Sequence, residues 1–242
     1  MATSTVNQGY WAPWTASEKW CEPAYAQSPY IVEFWNTVSS LPIVLLSLTA
    51  LYYGVRGGMP KRLLLPSLLT ALVGCGSVWF HGTMAYGGQA LDELAMVCAC
   101  VAFLYCGLEA DPRGIKSPWL APVLLAFSAA FIAAYVYLKE TNYFIFFVAV
   151  FALLSTRCCY TAYQLYLRTT DRTLRALFFG GQILWASSFL LFWLPDRLVS
   201  APPLHSTATP ALCSPAPPSP SPPPCSSAPP SSPTTCTQCF TS

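Results

Sequence analysis

Long apolar runs, separated by short polar joints, make up most of the first 197 positions. Six runs are each long and apolar enough for one crossing of a hydrocarbon core: roughly 34–54, 63–81, 91–108, 119–138, 143–163 and 174–194. A crossing helix needs about 20 mostly apolar residues, and none of these runs could cross twice. Turn signals mark the joints: Gly57-Gly58-Met59-Pro60, Gly87-Gly88 and Asp111-Pro112-Arg113-Gly114. Trp35, Tyr52, Tyr53, Trp79, Trp119, Tyr137 and Trp193 fall near the run ends, as in an aromatic belt. The pattern predicts an all-α polytopic membrane bundle with six spans over residues 34–197. A mixed polar segment, 1–33, precedes it. That segment shows neither the basic start nor the short apolar run of a cleavable signal peptide, so the first span is expected to direct insertion.

Composition narrows the function classes. The 242 residues are 54% hydrophobic and only 9% charged, against about 25% charged in an ordinary soluble domain. Twelve Lys and Arg nearly balance ten Asp and Glu, which excludes a nucleic-acid binder with its basic excess. Cys75, Cys98, Cys100, Cys106, Cys158 and Cys159 lie in or beside apolar runs and read as small hydrophobes. The chain has two His, His81 and His205, so a three-imidazole metal site cannot be assembled from it alone.

Charge placement sets the orientation. Arg56, Lys61, Arg62, Arg113, Lys116, Arg168, Arg172 and Arg175 fall in the first, third and fifth connections. Lys19, Lys139 and Arg197 fall on the opposite side, and Arg157 lies inside the fifth span. Cytoplasmic loops carry the Lys/Arg excess, so the N-terminus is expected outside the cytosol, with the tail on the same side. That tail, 200–242, has 13 Pro and 10 Ser in 43 residues and no Asp, Glu, Lys or Arg. It cannot bury a core and is expected to be disordered or polyproline-like. It reads either as a mucin-like stretch or as sequence from an alternative frame or exon. Cys236 and Cys239 form a lone C-x-x-C and read as incidental.

Ionisable groups inside spans are costly, and each is a functional candidate. Ser77 and His81 are four residues apart, on one face of the second span. Asp92 and Glu93 open the third, so His81 and Asp92 fall at the same end of adjacent antiparallel helices. An imidazole beside a carboxylate suits a metal or acid–base pair, or is an interfacial His beside a snorkelling acid. Glu18, Glu22 and Glu33 precede the first span. They read either as a solvated acidic face or as oxygen ligands for a hard cation.

At these residues the chain resembles the alkaline ceramidase family. Gly9-Tyr-Trp-Ala-Pro13, Trp20-Cys-Glu22, Tyr25 and Tyr30-Ile-Val-Glu-Phe-Trp-Asn-Thr-Val-Ser39 match its N-terminal signature, and Gly76-Ser-Val-Trp-Phe-His81 and Leu91-Asp-Glu-Leu94 its core motifs. The likeness spans roughly residues 9–197. It implies a seven-helix membrane amidase of the endoplasmic reticulum or Golgi, where the charge bias would put the N-terminus in the lumen, in a wider group that includes the adiponectin receptors. Such an enzyme hydrolyses ceramide to sphingosine and a fatty acid. The resemblance makes His81 one of three zinc-binding His and places Ser77 and Asp92 at its other catalytic positions. It also implies a calcium site from the Trp20 carbonyl, Glu22 and Glu33, with Glu18 a further candidate. The chemistry fits: Zn²⁺ polarises a carbonyl and lowers the pKa of bound water to about 7. Asp92 would take the proton from that water, and Ser77 would steady the oxyanion.

Two departures stand out. The family's seventh span, with its H-x-x-x-H pair, has no counterpart here, although Trp193 and Asp196 keep the motif before it. Lys19 and Ala24 stand where the family has an acid and an Asn. The alternatives are therefore a non-catalytic isoform that binds lipid or a partner, and a receptor-like heptahelical relative, against which the N-terminal motifs argue. The six-span reading has a direct test. Glycosylation tags placed near residues 5 and 230 should both be modified in microsomes; modification of one alone would overturn the topology.

Overall fold

The computed structural model describes residues 9–110, 117–138, 143–187 and 190. Within them the chain forms six helices: α1 (Phe34–Arg56), α2 (Lys61–Thr83), α3 (Tyr86–Ala110), α4 (Leu120–Tyr137), α5 (Tyr143–Arg168) and α6 (Arg172–Ser187). The first five are long and apolar enough to cross a membrane. The 23 residues of α1 or α2 rise about 34 Å, more than the roughly 30 Å hydrocarbon core. The sixth run's end, the tail, His205 and the Trp193–Asp196 motif lie outside the described residues, as does the Asp111-to-Gly114 turn.

The bundle is an all-α membrane bundle whose surface runs opposite to that of a soluble protein. Leu45, Leu46, Val123, Leu125 and Leu153 are exposed, while Ser40, Ser47, Ser77, Ser155 and Thr161 are buried. Lipid is as apolar as Leu, so large side chains gain nothing by turning inward. Small residues at the seams let backbones approach instead. α3 is the central helix, packed against α2, α4 and α5. Its Val97, Val101 and Leu104 meet Phe131 and Tyr135 of α4 and Phe147 and Leu154 of α5. The six cysteines at 75, 98, 100, 106, 158 and 159 are free thiols, as their apolar settings led us to expect.

The α2–α3 joint corrects the sequence reading. Gly87 and Gly88 do not make the turn; both lie in the first turn of α3. The turn falls at Met84 and Ala85, with Met84 left-handed at φ 52°. The glycines serve packing. A Cβ on Gly88 would lie 2.6 Å from Phe80 N, and one on Gly76 would lie 2.6 Å from Asp92 N. These two close approaches press α2 and α3 together. α3 therefore begins at Tyr86, and Asp92 and Glu93 lie nearly two turns inside it rather than at its opening. A hydropathy count misses those turns because Gly, Gln and Tyr are helical there without being strongly apolar.

Gly76→Ala should force α3 off α2, at the roughly 1–3 kcal/mol typical of overpacking. Gly180→Ala, with nothing within 4 Å of the new Cβ, should be neutral or gain up to about 1 kcal/mol of helix propensity. Thermal unfolding in detergent checks both, and equal midpoints for the two variants would contradict the close-approach account.

Candidate functional site

The candidate residues collect at one end of the bundle, where α1 begins, α2 ends and α3 begins. The N-terminal segment lies across this end. Thr15 N and Ala16 N donate to Met84 O at 3.2 and 2.9 Å, Tyr86 N donates to Thr15 Oγ1, and Ser17 N donates to Gln89 Oε1 at 2.9 Å. A left-handed Met84 leaves its carbonyl turned outward, where it takes two of these donors. Val32, Phe80 and Met84 form a small buried cluster beneath the segment, with Trp14, Trp20, Ala24 and Tyr25 packed against it.

Glu33 joins three of these elements. It is fully buried. Its Oε1 accepts from Trp20 N at 3.1 Å; its Oε2 accepts from Asn36 Nδ2 at 3.0 Å and lies 2.6 Å from His81 Nδ1. The solvated-face reading therefore fails for Glu33. With Glu33 as a carboxylate and His81 as a neutral imidazole, the ring proton sits on Nδ1 and the Nε2 lone pair is left for another partner. Metal-binding His is commonly oriented in this way, its second nitrogen held by a carboxylate. Phe80 and Trp20 flank the ring at centroid distances of 4.7 and 6.1 Å.

One turn deeper, Ser77 and Asp92 meet. Asp92 is buried and hydrogen-bonded to Ser77. Ser40 Oγ of α1 lies 3.0 Å from Ser77 Oγ. Ser40 Oγ also donates to Asn36 O at 2.8 Å, so Ser40 and Ser77 share two hydroxyl protons over three contacts: Asn36 O, the Oγ–Oγ contact and Asp92. The structure thus brings Ser77, His81 and Asp92 to the same end of α2 and α3, as their spacing predicted, and adds Ser40 and Asn36. A polar Ser within an apolar run was the available signal for Ser40.

A second buried network was not anticipated. Glu93 faces away from this site: Gln89 Nε2 donates to its Oε1 at 3.0 Å and Tyr135 Oη to its Oε2 at 2.7 Å. Gln89 and Glu93 stand four apart on α3, which was the only sequence signal; Tyr135 of α4 is invisible to local spacing.

The remaining acids sit at the start of α1 and in the segment before it. Glu22 accepts from Trp35 N at 2.7 Å and Asn36 N at 2.9 Å. It thereby caps α1, whose own N-cap residue, Glu33, makes no side-chain cap bond. Trp20 and Glu33 are joined through the Trp20 N–H. Lys19 Nζ lies 5.2 Å from the Trp14 ring centroid, and Ala24 belongs to the apolar cluster. Among the described residues, no three imidazole, thiol or carboxylate groups lie close enough to hold a metal, so Glu18 does not complete a set with Glu22 and Glu33. Among the described residues, the donors fit one ligand of a zinc site, His81, and not a whole site.

A sequence model of the ceramidase family matches residues 12–206. The chain belongs to the alkaline ceramidase family. Alkaline ceramidase 3 of Mus musculus is 33% identical over 190 residues, which cover 76% of this chain and 71% of its own length. The alkaline ceramidase of Arabidopsis thaliana is 29% identical over 191 residues, or 78% and 72% of the two chains. Alkaline ceramidase 1 of Homo sapiens is 24% identical over 187 residues, or 74% and 68%. All the candidate residues, from Glu18 to Asp92, fall inside the matched region.

The two N-terminal carboxylates should differ in weight. Glu22→Ala removes a cap, worth about 0.5–2 kcal/mol. Glu33→Ala strands the Trp20, Asn36 and His81 donors in a buried setting and should cost about 3–5 kcal/mol. Equilibrium unfolding of both variants measures the order; the reverse order would refute Glu33 as the junction.

Proposed function

We propose that this end of the bundle is built to hydrolyse the N-acyl amide of ceramide, or of a related N-acyl sphingoid lipid, to a sphingoid base and a fatty acid. The carrying observation is the convergence of Ser77, His81 and Asp92 inside a membrane bundle of this family. Asp92 accepts the proton of the attacking water and later returns one to the leaving amine. Ser77, held beside Ser40, turns its one hydroxyl proton from Asp92 to the oxyanion that develops on the carbonyl. Glu33 fixes the His81 ring and leaves Nε2 as the donor atom for Zn²⁺. When bound, that ion supplies Lewis-acid polarisation of the amide. A site within the bilayer suits a substrate whose two hydrocarbon tails stay in lipid. We assign the chain to the endoplasmic reticulum or Golgi membrane, with this end and the N-terminus lumenal.

The same reading makes the chain, as its sequence stands, a poor catalyst. A catalytic zinc site usually takes three protein ligands and keeps one position open. His81 is one, and the only other His is His205 in the Pro/Ser-rich segment. Drafting Asp92 as a ligand would remove the base. Calcium binding near Glu22 and Glu33 is expected to be weak, because their oxygens already take N–H donors and Lys19 adds a positive charge. The two-His count also favours a second reading, a non-catalytic isoform that binds lipid or a partner helix.

The test sets the chain beside a version whose tail is replaced by a seventh apolar span carrying H-x-x-x-H. Zinc content and sphingosine release from ceramide are measured in both. The chain as it stands should hold little zinc and release little sphingosine, and the extended version should gain both. In the extended version, Asp92→Asn should lose about 10²–10⁴-fold in rate, the usual worth of a general base. Stoichiometric zinc and comparable turnover in the unextended chain would refute the incomplete site. An extended version that binds zinc but leaves ceramide intact would refute the substrate.

A further inference from the structure

The other end of the bundle carries an unexplained charge. Arg157 lies well inside α5; Arg168, which ends the helix, is 11 positions further on, about 16 Å along the axis. Arg157 is exposed on the outer face of the bundle, where the surroundings are lipid. No described carboxylate pairs with it; the ion pair described at this end joins Arg62 to Glu109. An ionised group in a span is costly and is retained for a reason.

Its direction gives the reason. Long side chains on a helix normally lean towards the N-terminus. Arg157 leans the other way. Its guanidinium lies over the Tyr160 ring, 5.4 Å from the centroid, and donates to Thr161 Oγ1. It is therefore drawn towards the α5–α6 end. Tyr160, Tyr163 and Tyr166 mark that end, with the last two rings stacked at 6.2 Å. Tyr gathers at the headgroup level of a bilayer, which places Arg157 about one turn below it. A long cation at that depth snorkels to the phosphate layer.

The surface beyond is basic. Arg168 ends α5, and Arg172 and Arg175 follow in the first turn of α6. Arg175 stacks on Tyr166 at 4.9 Å and donates to its hydroxyl at 3.4 Å. The one nearby acid in this stretch, Asp171, is taken up in capping α6 through Leu174 N at 2.9 Å. A free phosphate in water stays above the tyrosines; a phospholipid places its phosphodiester within reach of Arg157 and its headgroup among the outer arginines.

We propose that the α5–α6 end is a binding site for an anionic phospholipid, with Arg157 and Tyr160 receiving the phosphodiester and Arg168, Arg172 and Arg175 supplying the preference for negative headgroups. Clustered Arg next to a membrane span favours acidic lipid in this way. The inference is independent of the amide-hydrolysis reading, since it concerns the opposite end of the bundle.

The test uses the full chain in detergent, with unfolding followed on addition of phosphatidylserine, phosphatidylcholine or inorganic phosphate. Phosphatidylserine should raise the unfolding midpoint more than phosphatidylcholine, and inorganic phosphate should leave it unchanged. Arg157→Gln should lose most of the phosphatidylserine shift. Arg62→Gln, whose parent guanidinium is already paired with Glu109 at 2.7 Å, should keep it. Equal shifts with the two lipids, a full shift in Arg157→Gln, or an equal shift with inorganic phosphate would each overturn the proposal. Should Arg157→Gln fail to fold, the Arg172→Gln, Arg175→Gln double variant carries the test: loss of the preference for phosphatidylserine supports the site, and an unchanged preference overturns it.

Discussion

A carboxylate with no exposed surface, Glu33, holds together the end of the molecule that matters most. Taking such a charge out of water costs several kcal/mol unless donors surround it. Its donors come from three places: the backbone of the N-terminal segment at Trp20, the first turn of α1 at Asn36, and the last turn of α2 at His81. None can leave without stranding the charge. The segment, the helix start and the imidazole are therefore fixed together, and the tautomer of His81 follows from the same contact.

The second constraint is distance between backbones. Gly76 and Gly88 let α2 and α3 approach until a Cβ would no longer fit. That approach sets Asp92 against Ser77, and Ser40 of α1 closes the row. The polar groups are thus strung across three helices as side-chain bonds, in a setting where an unpaired polar atom finds no water. Glu93 is satisfied in the other direction by Gln89 and Tyr135. Two adjacent acids on one helix so serve separate networks, since neighbouring positions on a helix point about 100° apart.

The apolar runs, the antiparallel placement of His81 and Asp92, and the shared face of Ser77 and His81 were legible because each depends on local period and length alone. What stayed hidden depends on contacts between distant segments. The Gly87-Gly88 pair has the composition of a turn, and only the neighbouring helix explains why those residues are helical. Glu22 and Glu33 look like equivalent acids in sequence, yet one caps α1 at the edge and the other is enclosed. Tyr135 lies 42 residues from Glu93, and no spacing rule connects them. Arg157 was visible as a charge inside a span, but its direction along the helix was not.

The two ends of the bundle resolve the same difficulty in different ways. Both hold charge near lipid, and charge near lipid must find a partner. At the α1–α3 end the chain supplies its own partners: residues 15–17 pair with Met84 and Gln89, Trp20 with Glu33, and the acids and imidazole are enclosed. Lys19 is turned aside onto Trp14, and Ala24 keeps the contact beneath apolar, so the segment rests on packing as well as on hydrogen bonds. At the α5–α6 end Arg157 and Arg175 lie on the outside, laid over the Tyr160 and Tyr166 rings. A ring face offsets part of a cation's lost hydration, by about 0.5–2 kcal/mol, which is less than burial of a full charge demands. The first end is therefore closed by the protein itself, whereas at the second Arg62 pairs with Glu109, Arg157 and Arg175 rest on ring faces, and the proposed anionic lipid would supply the opposite charge.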